Sequence, residues 1–155
     1  ISIQEVVGDL FRKKKLTIST AESCTSGALA SKIASVPGAS KYFKGSIIAY
    51  SNDVKKHLLG VTEDVLTAVG AVSEETVKQM AIGVQNLFGT DYAISTSGIA
   101  GPDGGTDKKP VGTVWIAFAT PNSVFTKKFE MGNGRDRIVN KTVYLALSEL
   151  FKLVK

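Results

Sequence analysis

The sequence predicts an α/β fold, a three-layer α/β/α sandwich around one mixed sheet, formed by a single domain over residues 1–155. Three observations lead there. Segments with apolar residues at helical spacing alternate with short runs rich in β-branched residues. Thr113–Ala119 and Val124–Glu130 follow one another across Thr120-Pro121-Asn122-Ser123, the pattern of an antiparallel hairpin. Helices between strands bring strands parallel and a hairpin adds antiparallel pairs, so the sheet is mixed and has a helical layer on each face.

The elements follow in order. Val6, Val7, Leu10 and Phe11 recur at helical spacing, and Lys13-Lys14-Lys15 closes that helix where cations meet the negative end of its dipole. Leu16–Ala21 reads as a first strand, pointing at Ser23. Thr25 to Val36 reads as a helix with small and apolar residues Ala28, Leu29, Ile33 and Ala34, ended by Pro37-Gly38. Gly45–Tyr50 is a second strand, and Ser51-Asn52-Asp53 caps a short helix through Leu59 that Gly60 stops, with Leu58 and Leu59 on its apolar face. Thr62–Val69 is another short helix. Ser73-Glu74-Glu75-Thr76 opens a longer one, whose buried face is Val77, Met80, Ala81, Val84 and Leu87 before Gly89. Asp91–Ser97 is a third strand that runs directly into a glycine-dense loop. A last helix from Arg135 to Val154 carries Ile138, Val143, Leu145, Ala146, Leu147, Leu150 and Phe151.

Composition excludes several classes of function. With 43% hydrophobic and 21% charged residues the chain lies in the ordinary globular range, and no apolar run approaches the roughly 20 residues that span a bilayer. No membrane association is expected, and Ile1-Ser2-Ile3-Gln4-Glu5 lacks the pattern of a secretory signal. The single cysteine, Cys24, has no internal disulfide partner, which fits a reducing compartment and an expected cytoplasmic location. The net charge of +5 is scattered among acids without an aromatic-interleaved basic stripe, so nucleic-acid binding is not expected, whereas a phosphorylated small molecule suits the excess. One His, one Cys and dispersed carboxylates make no metal-ligand cluster, and neither a metal nor a cofactor is expected.

Ligands of such folds collect beyond the carboxyl ends of strands. Three segments end there: Glu22-Ser23-Cys24, Tyr50-Ser51-Asn52 and Ser97-Gly98-Ile99-Ala100-Gly101. Ser23 needs a base before it attacks a carbonyl. His57 is the only histidine and reads as solvent-facing on a short helix. Lys55 is the better base, because it lies in the first turn of a capped helix, where the dipole and burial both disfavour its charged form. Its alternative is an exposed helical lysine. Cys24 competes as a nucleophile, since a thiol at a helix N-terminus has a lowered pKa, or it is a small buried hydrophobe. Backbone amides of Thr25, Ser26 and Gly27 are expected to form an oxyanion hole or phosphate cradle, the alternative being N-capping by Ser23 or Thr25. The glycine loop is neither a phosphate-binding P-loop nor a dinucleotide fingerprint, since no Gly-Lys-Ser/Thr opens a helix after it.

The ordered set Thr20-Ala21-Glu22-Ser23-Cys24-Thr25, Tyr50-Ser51-Asn52 with Lys55, Gly70-Ala71-Val72-Ser73, Ser97 through Gly105, and Lys109-Pro110-Val111-Gly112-Thr113-Val114-Trp115 resembles the CinA C-terminal domain family, which includes nicotinamide-nucleotide amidases. The resemblance runs across nearly the whole chain. It implies hydrolysis of nicotinamide mononucleotide to nicotinate mononucleotide and ammonia, in salvage of pyridine nucleotides, with Ser23 as nucleophile, Lys55 as base and Tyr50 assisting. Ser97, Gly98, Ile99, Ala100, Gly101 and Arg135 join Thr25, Ser26 and Gly27 as expected substrate contacts. The expected partner is a small nucleotide, and a homo-oligomer is compatible with the pattern. Two positions depart from the family. Ser26 stands where the family has glycine, and Val139 stands where it has a second arginine after Arg135. A non-catalytic nucleotide-binding module and a Cys24-dependent amidase are the competing readings.

Overall fold

The computed structural model describes residues 1–155. Five strands form one sheet in the order β2-β1-β3-β4-β5, with β1 (Ile18–Glu22), β2 (Phe43–Ile48), β3 (Tyr92–Gly98), β4 (Thr113–Ala119) and β5 (Val124–Glu130). β1 pairs parallel with β2 and β3, while β3–β4 and β4–β5 are antiparallel, so the sheet is mixed as expected. The helices are α1 (Ile3–Lys14), α2 (Ala28–Ala34), α3 (Asn52–Leu59), α4 (Glu63–Val69), α5 (Glu74–Phe88) and α6 (Arg135–Val154).

The period-2 alternation of the strands sorts side chains by size, and that sorting decides how each helical layer packs. Ile18, Ile94, Val114, Ile116 and Phe118 face α1, α2 and α6, where they bury Phe11, Leu29, Ile33, Ile138, Leu147 and Leu150. Ala21, Ala93, Ala117 and Ala119 face the other way, and their small side chains let α5 lie close with Val77, Met80, Ala81 and Val84. Close approach allows hydroxyls of the sheet to reach the helix backbone: Ser95 Oγ donates to the Val77 carbonyl at 2.6 Å. α3 in turn crosses α5 at Gly83, where a Cβ would overlap the Leu59 carbonyl. Each fully buried Leu, Ile or Phe contributes about 1.5–3 kcal/mol relative to exposure.

Capping sets the helix starts. Ser2 and Glu5 form a reciprocal capping box on α1, and Ser51, Thr62 and Ser73 each accept from a backbone N–H of α3, α4 and α5. α2 and α6 start on glycines without a side-chain cap, and α2 is shorter than the expected Thr25–Val36, because Ser26 (φ 52°) and Gly27 (φ 96°) are left-handed and form a turn instead. β2 ends at Ile48 rather than Tyr50, β1 begins at Ile18 rather than Leu16, and Leu58 and Leu87 are half exposed rather than buried. Those two leucines extend apolar faces that the neighbouring layers do not cover.

Register then places the site. Glu22 stands opposite Ile48 on one side and Thr96 on the other, so β1 and β2 end level while β3 runs on through Ser97 and Gly98. The chain leaves β1 through α2 on one face of the sheet and leaves β2 through α3, α4 and α5 on the other. The carboxyl end of β1 is therefore a topological switch point.

Tyr42 is 2% exposed and its hydroxyl is the one buried side-chain polar atom without a hydrogen-bond partner. An unsatisfied buried hydroxyl costs about 1–3 kcal/mol. Tyr42→Phe is therefore expected to raise stability by about 1 kcal/mol in denaturant titration. A lower midpoint for the variant would contradict this.

Candidate active site

Ser23 is the first residue after β1, and its N–H still donates to the Thr96 carbonyl of β3 at 3.1 Å. The sheet thus fixes its backbone while the chain turns away. Its carbonyl accepts from the Ser26 N–H at 3.1 Å, closing a tight turn from Ser23 to Ser26. The side chain opens into a cleft of about 290 Å³ that also receives Tyr50, Lys55, Ser97, the glycine loop and Arg135.

Lys55 is only 1% exposed, although lysine is the residue type least often buried. Its Nζ lies 3.3 Å from Ser23 Oγ and 2.8 Å from the Ala49 carbonyl. The placement is local in origin. Ser51 caps α3 by accepting from the Val54 N–H, and the first turn then aims Lys55 back under the end of β2. Burial holds its pKa below the ordinary lysine value of 10.5. Nζ donates to the Ala49 carbonyl and to Ser23 Oγ, and once it loses a proton its lone pair can accept from Ser23 Oγ–H instead. Lys55 is thus a buried lysine and not an exposed helical one.

Cys24 follows Ser23 but is buried, and burial pushes its thiol up to about 12, against the smaller opposing effect of the Thr96 hydroxyl. That is the reverse of the activation a reactive thiol needs. His57 is exposed, with Nδ1 2.9 Å from the Asp53 carbonyl of its own helix.

Of the expected anion cradle at residues 25–27 the Ser26 and Gly27 amides are already taken, and none of the three residues lines the cleft. Gly27 N–H donates to Glu22 Oε1 at 3.1 Å, Ser26 N–H to the Ser23 carbonyl, and the buried Thr25 hydroxyl to Glu22 Oε1 at 2.7 Å. An internal carboxylate occupies the helix start that a substrate anion was expected to use. Glu22 is fully buried, and it is the site feature that the residue pattern did not reveal. The only prior signal was a carboxylate at the end of an otherwise β-branched strand. Among the cleft-lining residues, Cys24, Ala100 and Gly101 have amides without a partner in the chain.

Ser97 and Gly98 border the cleft from β3. Ser97 Oγ is committed to the Ala71 carbonyl at 2.8 Å, so it braces the loop before α5. A Cβ at Gly98 would meet Val114 Cγ2 at 2.7 Å and the Thr113 carbonyl at 2.8 Å, so a side chain there would force β4 away. Ile99 bonds through its N–H to the Thr113 carbonyl and through its carbonyl to the Gly112 N–H. Gly101 has φ 82° and leads into a cis bond to Pro102. Lys109 Nζ ties the far limb of the loop to the Val69 carbonyl at the end of α4.

Arg135, the first residue of α6, donates to the Gly101 carbonyl at 2.7 Å and to Tyr50 Oη at 3.2 Å. Tyr50 is 61% exposed and stands at the cleft mouth, with no hydrogen bond to Ser23 or Lys55. Asn52, from the Tyr50-Ser51-Asn52 segment, and Asp103, within the glycine loop, also line the cleft. Both carry polar groups next to the glycine loop.

Residues 1–154 match the sequence model of the CinA C-terminal domain. A CinA-like protein of Cytophaga hutchinsonii is 47% identical over 154 residues, covering 99% of this chain and 37% of that protein. A CinA-like protein of Thermotoga maritima is 47% identical over 153 residues, again 99% of this chain and 37% of the relative. The chain therefore spans little more than a third of the length of these curated relatives. Among solved structures, the competence/damage inducible protein CihA from Agrobacterium tumefaciens superposes with a TM-score of 0.94 at 37% identity, over 99% of this chain and 96% of that one. The competence damage-inducible protein A from Klebsiella pneumoniae gives 0.92 at 32% identity, over 98% and 96%. No helix of the chain is long and apolar enough to cross a membrane.

The left-handed φ of Ser26 explains why glycine is the easier residue at this position. Ser26→Gly is expected to stabilise the protein by about 1 kcal/mol, less the entropy that glycine adds to the unfolded chain. Chemical denaturation measures it, and a destabilised variant would show that the Ser26 side chain contributes more than its backbone strain removes.

Proposed function

The chain belongs to the CinA C-terminal domain family, and on that premise we propose that it is a metal-independent amidohydrolase that converts nicotinamide mononucleotide to nicotinate mononucleotide and ammonia. The observation that carries the reading is the buried Lys55 amine, 3.3 Å from Ser23 Oγ at the floor of the cleft. A desolvated amine beside a hydroxyl is a nucleophile paired with its base.

The reaction follows from that pair. Ser23 Oγ attacks the carboxamide carbon while its proton passes to the Lys55 lone pair. The carbonyl oxygen becomes an oxyanion, for which the free amides of Cys24 and of Ala100 or Gly101 are the available donors. The Lys55 ammonium returns the proton to the leaving nitrogen, the C–N bond breaks, and ammonia departs from a nicotinoyl ester of Ser23. Water then attacks the ester with Lys55 again taking the proton, and nicotinate mononucleotide is released as Ser23 Oγ is reprotonated. Arg135 at the mouth suits the substrate phosphate, and Tyr50 orients the arginine by accepting a hydrogen bond from it. The Cys24 alternative is disfavoured by the burial that holds its proton in place.

Ammonia release from nicotinamide mononucleotide tests the reading. Ser23→Ala is expected to abolish it, Cys24→Ser to retain most of it, and prolonged chelation to leave it intact. Binding without turnover in the parental protein would favour the non-catalytic nucleotide module.

Lys55 predicts the pH dependence. A base must be unprotonated, so kcat/KM is expected to rise with pH through the lowered Lys55 pKa and level off above it. Lys55→Arg keeps the charge but cannot lose it, so turnover is expected to fall about 100-fold or more. Near-parental turnover in that variant would replace general-base catalysis by charge stabilisation.

A further inference from the structure

We propose that Glu22 is a positioning residue for Ser23: its buried carboxylate occupies the start of α2 and so fixes the turn that holds Ser23 Oγ against Lys55. The inference rests on the serine–lysine reaction above. Oε1 accepts from the Thr25 hydroxyl at 2.7 Å and from the Gly27 and Leu29 amides at 3.1 and 3.0 Å. Oε2 accepts from the Ala30 amide at 2.8 Å and faces the hydroxyls of Thr20 at 3.1 Å and Ser46 at 3.4 Å. β1, β2, the turn and α2 thus converge on one side chain. Thr25 Oγ1 also lies 2.8 Å from Thr96 Oγ1, and the carbonyl of Thr96 holds the Ser23 N–H, so the same network grips Ser23 from β3.

The arrangement has a reason in the backbone. Ser26 and Gly27 are both left-handed, so the turn has no regular ladder to stabilise it and α2 has no side-chain cap of its own. Glu22 supplies both from the residue immediately before the nucleophile. Gln at this position has the same size but places an NH₂ against Ala30 N–H in one orientation and against Gly27 and Leu29 N–H in the other. Either way a donor faces a donor, and the turn must move.

The test labels Ser23 with a fluorophosphonate, read by intact mass, alongside steady-state turnover of nicotinamide mononucleotide. Glu22→Gln is expected to lower both the labelling rate and kcat by about tenfold or more while KM stays near parental, because misplaced reacting atoms lose rate rather than binding. Thr25→Val, which removes one hydroxyl and keeps the amide contacts, is expected to lose a smaller part of the labelling rate and serves if Glu22→Gln does not fold. Ile33→Val shortens a buried side chain of α2 away from the network and is expected to label at the parental rate. Folded Glu22→Gln labelling at the parental rate, parental labelling in Thr25→Val, or an equal loss in Ile33→Val would overturn the proposal. Labelling of parental Ser23 without ammonia release would sink the substrate assignment instead, and the labelling series would still decide the role of Glu22.

Discussion

A lysine amine held out of water against a serine hydroxyl is the interaction on which this site depends. Lys55 reaches that position because β1 and β2 end level, so that Ser23, the Ala49 carbonyl and the α3 cap lie within one side chain's reach of each other. The arrangement works against folding. Because the folded pKa lies below 10.5, the unfolded chain binds more protons between the two values, and stability rises with pH across that window. Below the lowered pKa the full destabilisation is present. A fold whose strands and helices are otherwise well capped and packed sustains it.

The second constraint is that the site keeps its own anion. Helix starts at strand ends are ready anion sites, yet the α2 amides are taken by Glu22. In the proposed reaction this leaves Arg135 for the substrate phosphate and the free amides of Cys24 and the glycine loop for the oxyanion. The glycine loop suits the task because Ile99 and Gly112 bond to each other while Ala100 and Gly101 leave their N–H groups unused.

Much of this was legible in the residues. Alternating periods marked nearly every element, since strands with large and small residues on opposite faces and helices with serine or threonine caps leave strong local signals. Ser23 and Lys55 were legible because a hydroxyl and an amine stood just beyond strand ends. The turn at 25–27 was misjudged, because a run of small residues after a strand resembles a helix start. Only a left-handed Ser26 and a distant view of Glu22 reveal that its amides are occupied. Leu58 and Leu87 continue helical stripes beyond the width of their neighbours, a limit set by tertiary packing. The clasp of Arg135 on Gly101 and Tyr50 joins residues far apart in the chain and left no local trace.

The central claim is that Lys55 is a base by virtue of its burial, and the direct measurement is its own titration. Protein carrying ¹³Cε-labelled lysine, with the Lys55 signal assigned by its loss in Lys55→Arg, reports that pKa by NMR in the absence of any substrate. The account predicts a midpoint below the ordinary lysine value of 10.5. A midpoint at or above that value would leave a charged ammonium beside Ser23 at neutral pH and contradict the account.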